Sequence, residues 1–118
     1  MKIILVDDEQ KFITMLAKRL AMRGIKADIA FTGDEAIQKS RDTVYDVAVL
    51  DIKMPGISGI QLKNKLSGLD PELKFIFVTG HGAVGQADEN LIDTDVYLAK
   101  PLDIENLIKK IYEITKTG

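Results

Sequence analysis

The sequence predicts a doubly wound α/β domain: a five-stranded parallel sheet with helices on both faces, three layers deep. Three observations predict it. Five short apolar runs rich in Ile, Val and Phe recur at Ile3 to Val6, Ala27 to Phe31, Val47 to Leu50, Phe75 to Val78 and Val96 to Ala99. They are apolar nearly throughout rather than at alternate positions, the pattern of strands covered on both faces. The segments between them carry apolar residues at helical spacing, and strict β–α alternation packs as a parallel sheet joined by right-handed crossovers.

After the first run, Phe12, Met15, Leu16, Arg19 and Leu20 step i, i+3, i+4, i+7, i+8, and Gly24 is a natural stop. After the second, Thr32-Gly33-Asp34-Glu35 has the form of a capping box and opens a helix toward Ser40. Ser58 caps a third helix whose Leu62, Leu66 and Leu69 share a face, with Pro71 just beyond its end. The fourth helical segment, roughly 84–92, is the weakest: it holds Gly85 and several acids and keeps only Val84, Ala87 and Leu91 in register. Ile104, Leu107, Ile108 and Ile111 give the last helix a continuous apolar stripe.

A chain of 118 residues suits one domain, so residues 1–118 are read as a single unit, either complete or cut from a longer protein. Apolar residues make up 46% and charged residues 29%, ordinary for a globular protein. A formal net charge of −2 offers no basic footprint for nucleic acid or an anionic membrane. The absence of cysteine excludes disulfides, thiolate metal sites and cysteine nucleophiles, and the single histidine, His81, excludes His-rich metal sites. No apolar run approaches the roughly 18 residues of a membrane span. The opening MKIILVDDE reaches two aspartates too soon for a signal peptide, so a cytoplasmic protein is expected.

The informative polar residues stand where the strands end. Asp7, Asp8 and Glu9 follow the first strand, Asp51 the third, Thr79-Gly80-His81 the fourth, and Lys100-Pro101 the fifth. In a parallel sheet all C-terminal strand ends share one edge, where open α/β sheets bind ligands. Carboxylates so crowded repel one another unless a cation sits among them. Oxygen ligands with room for water suit Mg²⁺. Lys100 adds a second positive charge, and a crevice holding two cations, a hydroxyl and loop N–H groups suits a phosphoryl group, whose transfer needs chiefly positioning and charge neutralisation. An aspartate can be the nucleophile in such a site. That explains why a buried strand, VAVL, delivers a charge in VAVLDIKMPGISG: it holds the attacking oxygen still.

These residues resemble the receiver domain of two-component response regulators, along the whole chain. The matching elements are Asp7-Asp8, the D-x-x-M-P-G-x-x-G turn from Asp51 to Gly59, Thr79 and Lys100-Pro101. The resemblance implies a flavodoxin-like fold with strand order 2-1-3-4-5. It implies that Asp51 accepts phosphate from the phosphohistidine of a sensor histidine kinase or phosphotransfer protein. Asp8 and Asp51, with the Lys53 carbonyl, would ligate Mg²⁺ directly, and Asp7 mainly through water. Lys100, Thr79 and the Gly80 N–H would hold the phosphoryl oxygens. Tyr97, three before Lys100, matches the family's aromatic switch. Phosphorylation would then repack the face made by the fourth helical segment, the fifth strand and the last helix, where an effector, an output domain or a second copy would bind. Such a protein catalyses only its own phosphorylation and dephosphorylation.

The chain departs from the family's pattern in two places. Val-Thr-Gly-His-Gly resembles receivers attached to ATPase-type transcriptional activators, but the AVGQADENLIDTDVYLAKP that follows is atypical. Asp93-Thr94-Asp95-Val96 stands where an Ala-Gly-Ala-like turn is common, which predicts an acidic signalling face with a short or mobile fourth helix. Lys53 falls where the family tunes phosphate lifetime.

Each residue also has a plainer reading. Asp7-Asp8-Glu9 fits a charged cap on the first helix, Asp51 an ordinary turn aspartate, Thr79 a strand end, and Lys100 a solvated surface charge. Tyr97 fits the core as well as a switch on spacing alone, and His81 fits an exposed loop. Two other functions share this fold and chemistry. An aspartate-based phosphohydrolase commonly carries D-x-D and a cap domain, and a flavin module uses a Ser/Thr/Gly-rich loop where this chain has acids. The sequence has no P-loop motif.

Overall fold

The computed structural model describes residues 1–80 and 96–115. The expected fourth helical segment, the Asp93-Thr94-Asp95 turn and His81 lie outside the described residues. Five parallel strands, β1 (Lys2–Val6), β2 (Lys26–Ala30), β3 (Val47–Asp51), β4 (Lys74–Thr79) and β5 (Val96–Ala99), form one sheet in the order β2-β1-β3-β4-β5. The described helices are α1 (Gln10–Met22), α2 (Gly33–Asp42), α3 (Gly59–Leu69) and α4 (Ile104–Thr115). Starting from β1, the chain builds outward to β2, then returns to place β3 on the other side. This reversal opens a crevice between the β1 and β3 tips.

Alternation along each strand feeds two separate cores. Ile3, Leu5, Val47, Val49, Ile76 and Val78 pack with Ile13, Leu16 and Leu20 of α1 and Leu107 and Ile111 of α4. Ile4, Val6, Ala48, Leu50 and Phe77 pack with Ala36 of α2 and Leu62 and Leu66 of α3. Both parities are therefore apolar, which is why β3 is buried along its whole length.

Local details correct the sequence reading in four places. The buried stripe of α1 is Ile13, Leu16 and Leu20, while Met15 and Arg19 face outward; the sheet meets the helix about one residue round from the expected face. Leu69 of α3 is exposed, because the last turn runs past the edge of the core that Leu62 and Leu66 enter. The β2 strand begins and ends one residue earlier than expected, at Lys26 and Ala30, because Phe31 leaves the ladder. Thr32 does cap α2 by accepting from the Glu35 N–H at 3.1 Å, but Glu35 reaches past Thr32 to accept from the Phe31 N–H at 2.6 Å. The reciprocal box forms instead at α3, where Ser58 accepts from the Gln61 N–H and the Gln61 side chain from the Ser58 N–H.

Candidate functional site

The strand register sets the site. Val6 pairs with Leu50, Asp51 with Val78, and Thr79 with Ala99, so Asp7, Asp51, Thr79 and Lys100 lie within one step of each other across four tips. One further ladder bond ties each tip past its regular pairing: Asp7 N–H to Ala30 O (3.2 Å), Ile52 N–H to Val78 O (3.1 Å) and Lys100 N–H to Thr79 O (2.9 Å). Asp7 continues the parity of Leu5, and Asp51 that of Val49. Alternation turns both toward the α1 side of the sheet. The Lys100–Pro101 peptide is cis.

The turn after β3 is built on glycine. Gly56 has a φ of 81°, in the left-handed region that favours glycine. Gly59 opens α3 so close to β3 that a Cβ there would lie 2.3 Å from the Asp51 carbonyl oxygen. The helix start thus seats directly against the backbone that carries Asp51.

The structure brings together Asp7, Asp8, Asp51 and Lys100. Carboxylate oxygens of the three aspartates lie within 4.8 Å of one another. Asp7 and Asp51 are buried and Asp8 is exposed at the rim. Asp7 is fixed from two sides: Oδ1 accepts from the Glu9 N–H (2.9 Å), and Oδ2 lies 2.9 Å from Lys100 Nζ. Asp51 Oδ1 accepts from the Lys53 N–H (3.2 Å), while Oδ2 is 3.8 Å from Lys100 Nζ. Thr79 is buried, and its hydroxyl has no hydrogen-bond partner among the described residues. Gly80 follows it. Lys53 itself is exposed and meets the site through its backbone. Tyr97 stands apart from the acids: half-buried on β5, it stacks on Phe77 with ring centroids 6.1 Å apart.

The electrostatics are those of a carboxylate deprived of water and crowded by like charge. Burial, then the neighbouring Asp7, push the Asp51 carboxyl up from 3.8 to about 6, against the opposing pull of Lys100 and the Lys53 N–H. Burial pulls the Lys100 ammonium down, but its bonds to Glu9 and Asp7 outweigh this and its pKa is raised. The lysine is held charged. The donor set of clustered hard oxygens around a destabilised carboxylate fits a small divalent cation.

Two neighbours make contacts with Lys100 that the sequence does not reveal. Glu9 is expected among the acids that follow the first strand, with a helix cap as its plainer reading. It does occupy the N-cap of α1 but makes no side-chain cap bond there, and its Oε1 lies 2.5 Å from Lys100 Nζ. Phe12 was counted only in the α1 stripe, yet its ring lies 4.7 Å beneath the Lys100 ammonium, a cation–π contact that local sequence gives no sign of.

An acid-lined crevice at the point where strand order reverses, reached by one lysine from the neighbouring tip, is the mark of a receiver domain. The chain belongs to the response regulator receiver domain family, whose model matches residues 3–112. Among curated relatives, it is 32% identical to the transcriptional regulatory protein TctD of Salmonella typhimurium over 108 residues, 91% of this chain and 48% of that protein. It is 31% identical to the transcriptional regulatory protein ZraR of Escherichia coli over 106 residues, 89% of this chain and 24% of that protein. The chain thus spans half or less of these relatives' length. Among solved structures, it superposes on the Thermotoga maritima response regulator TrrA, in complex with Mg²⁺-BeF, with a TM-score of 0.84, 30% identity and coverage of 96% of this chain and 97% of that one. A CheY-like receiver domain protein of Methanospirillum hungatei gives 0.85 at 30% identity, covering 97% and 92%. Accepting a phosphoryl group as a signalling switch is typical of the family. Among the described residues no helix is long and apolar enough to cross a membrane.

Proposed function

We propose that Asp51 is the phosphoryl acceptor of a cytoplasmic two-component signalling protein, taking phosphate from the phosphohistidine of a sensor histidine kinase or phosphotransfer protein. The observation that carries this reading is the buried Asp51 carboxylate, proton-attracting at about 6, with Asp7, Asp8 and Lys100 gathered round it. An Asp51 oxygen attacks phosphorus in line, the P–N bond breaks, and the imidazole nitrogen leaves with its electron pair and is then protonated. Lys100 neutralises charge on the transferring oxygens, and the Thr79 hydroxyl, without a partner among the described residues, donates to one of them with the Gly80 N–H beside it.

Asp8, Asp51 and the Lys53 carbonyl would hold Mg²⁺, with Asp7 behind a water. When bound, the ion supplies charge neutralisation to the carboxylates and the incoming phosphoryl oxygens. The Mg²⁺-BeF complex of the Thermotoga relative supports this choice of ion and anion.

Thr79 shares the sheet face of Phe77, and Tyr97 stacks on that ring. A pull on Thr79 toward the phosphoryl group therefore reaches Tyr97 through one packed aromatic, and the surface around β5 and α4 is the readout. An effector, an output domain or a second copy would meet the protein there. Whole relatives being transcriptional regulators supports a DNA-binding output beyond this domain. Incubation with acetyl phosphate and Mg²⁺ should add one phosphoryl group by intact mass, and Asp51→Asn should abolish it while far-UV circular dichroism stays unchanged. Equal labelling of the Asn variant would refute the assignment.

A further inference from the structure

Lys100 is contested among its acidic neighbours. Its Nζ lies 2.5 Å from Glu9 Oε1 and 2.9 Å from Asp7 Oδ2, but 3.8 Å from Asp51 Oδ2. The ammonium is thus bonded to the acids on the β1 side and makes only a long ionic contact with Asp51. The two acids that hold it differ in kind. The Asp7 side chain is 5% exposed and anchored at its other oxygen by the Glu9 N–H, whereas the Glu9 side chain is 60% exposed and owes nothing to the helix it precedes.

We propose that Glu9 is a positioning residue that holds the Lys100 ammonium back from Asp51 and gives it up when anionic oxygens arrive there. The inference rests on the phosphoryl-acceptor reading and adds a control on that same site. An ammonium has three donors, and Asp7, Glu9 and the Phe12 face already surround this one. An Nζ that moves toward phosphoryl oxygens on Asp51, from which it now lies 3.8 Å, must lengthen its contacts on the β1 side. Glu9 is the one that leaves at least cost, because its carboxylate rehydrates on release, while Asp7 would be left buried and unpaired. The hold of the phosphoryl group on Lys100 is therefore offset by the loss of Glu9, and the phosphorylated state is less favoured than the site's other contacts allow.

The test is a titration of the full chain with beryllofluoride at saturating Mg²⁺, followed by NMR, for the native protein, Glu9→Gln and Glu9→Asp. Glu9→Gln should tighten beryllofluoride binding roughly two- to fivefold, the worth of an ion pair with one exposed partner. Glu9→Asp keeps the charge but withdraws the carboxylate by about 1.5 Å, one C–C bond. It should behave like Glu9→Gln if contact with Lys100 is what matters. Urea melts without ligand should be little changed in both, since the Glu9 side chain makes no cap bond and its backbone is kept in both variants. Unchanged or weaker binding by Glu9→Gln overturns the proposal. So does a native-like Glu9→Asp, which would reduce Glu9 to a repelling charge at the rim. If the native protein itself ignores beryllofluoride and Mg²⁺, the acceptor reading falls and this inference with it; binding by the native protein without any Glu9 effect removes this inference alone.

Discussion

Asp51→Asn should make the protein more stable at neutral pH in the absence of divalent cations. The Asp51 carboxyl is pushed from 3.8 to about 6 by burial, then by Asp7, with a smaller push from Asp8. Between those values the folded protein keeps a proton that the unfolded chain has already released. Stability is then fully present below about pH 4 and falls as pH rises through about 6, after which it levels off. A shift of about 2 units at about 1.4 kcal/mol each corresponds to roughly 3 kcal/mol lost across that window. Asparagine escapes the loss, while its carbonyl oxygen can still accept from the Lys53 N–H. Urea unfolding from pH 4 to 8 in the presence of a chelator measures this by linear extrapolation. The native and variant curves should meet near pH 4 and separate by up to about 3 kcal/mol at pH 7, with the variant above. A variant no more stable than the native protein at pH 7, or a gap that persists unchanged at pH 4, would refute the claim that this carboxylate is held against its own desolvation.

Two further substitutions probe the supports of the site. Gly59→Ala places a Cβ 2.3 Å from the Asp51 carbonyl oxygen and 2.9 Å from the Ile52 Cα, backbone atoms that cannot turn aside. It should cost about 1–3 kcal/mol by urea melt, the usual cost of overpacking, and the same change at Gly68, where nothing lies within 4 Å, should not. Lys100→Met removes the cation that opposes the push on Asp51, so the Asp51 carboxyl should titrate above its native value by ¹³C NMR.

Much of this was legible in the sequence because two physical codes coincide. Strands buried on both faces must be apolar throughout, so Val47 to Leu50 could be read without knowing their partners. The charged residue that ends each such run is visible because it breaks the run. Parallel topology then brings Asp7, Asp51, Thr79 and Lys100 to one edge by register alone. Distances and partners were not legible. That Lys100 lies nearer Glu9 than Asp51 depends on where α1 starts and how Phe12 sits under the ammonium. The buried stripe of α1 was misread for a similar reason. Phe12, Met15 and Leu16 satisfy helical spacing as well as Ile13, Leu16 and Leu20 do, and only the position of the sheet chooses between them. In α3 the spacing of Leu62, Leu66 and Leu69 carried no information about where the sheet ends.

The site runs against the stability of the fold that carries it, and the opposition has a use. Asp7, Asp8, Asp51 and Glu9 gather around one ammonium among the described residues, and Asp51 sits at the end of a strand with no exposed residue. Nothing in the packing of the two cores requires those charges; apolar residues at the same tips would let the sheet close more tightly. The fold tolerates them because β3 is locked between β1 and β4, and Gly59 seats α3 against the Asp51 backbone. Rigidity from the cores therefore holds repelling groups in place that would otherwise separate. Relief of that repulsion is available to whatever brings positive charge to the crevice, and the Thr79 hydroxyl, which has no partner among the described residues, can meet whatever brings acceptor oxygens. On the proposed reading, a small change at the strand tips is passed to Phe77 and Tyr97, the stacked aromatic pair between the β4 tip and the β5 side of the sheet.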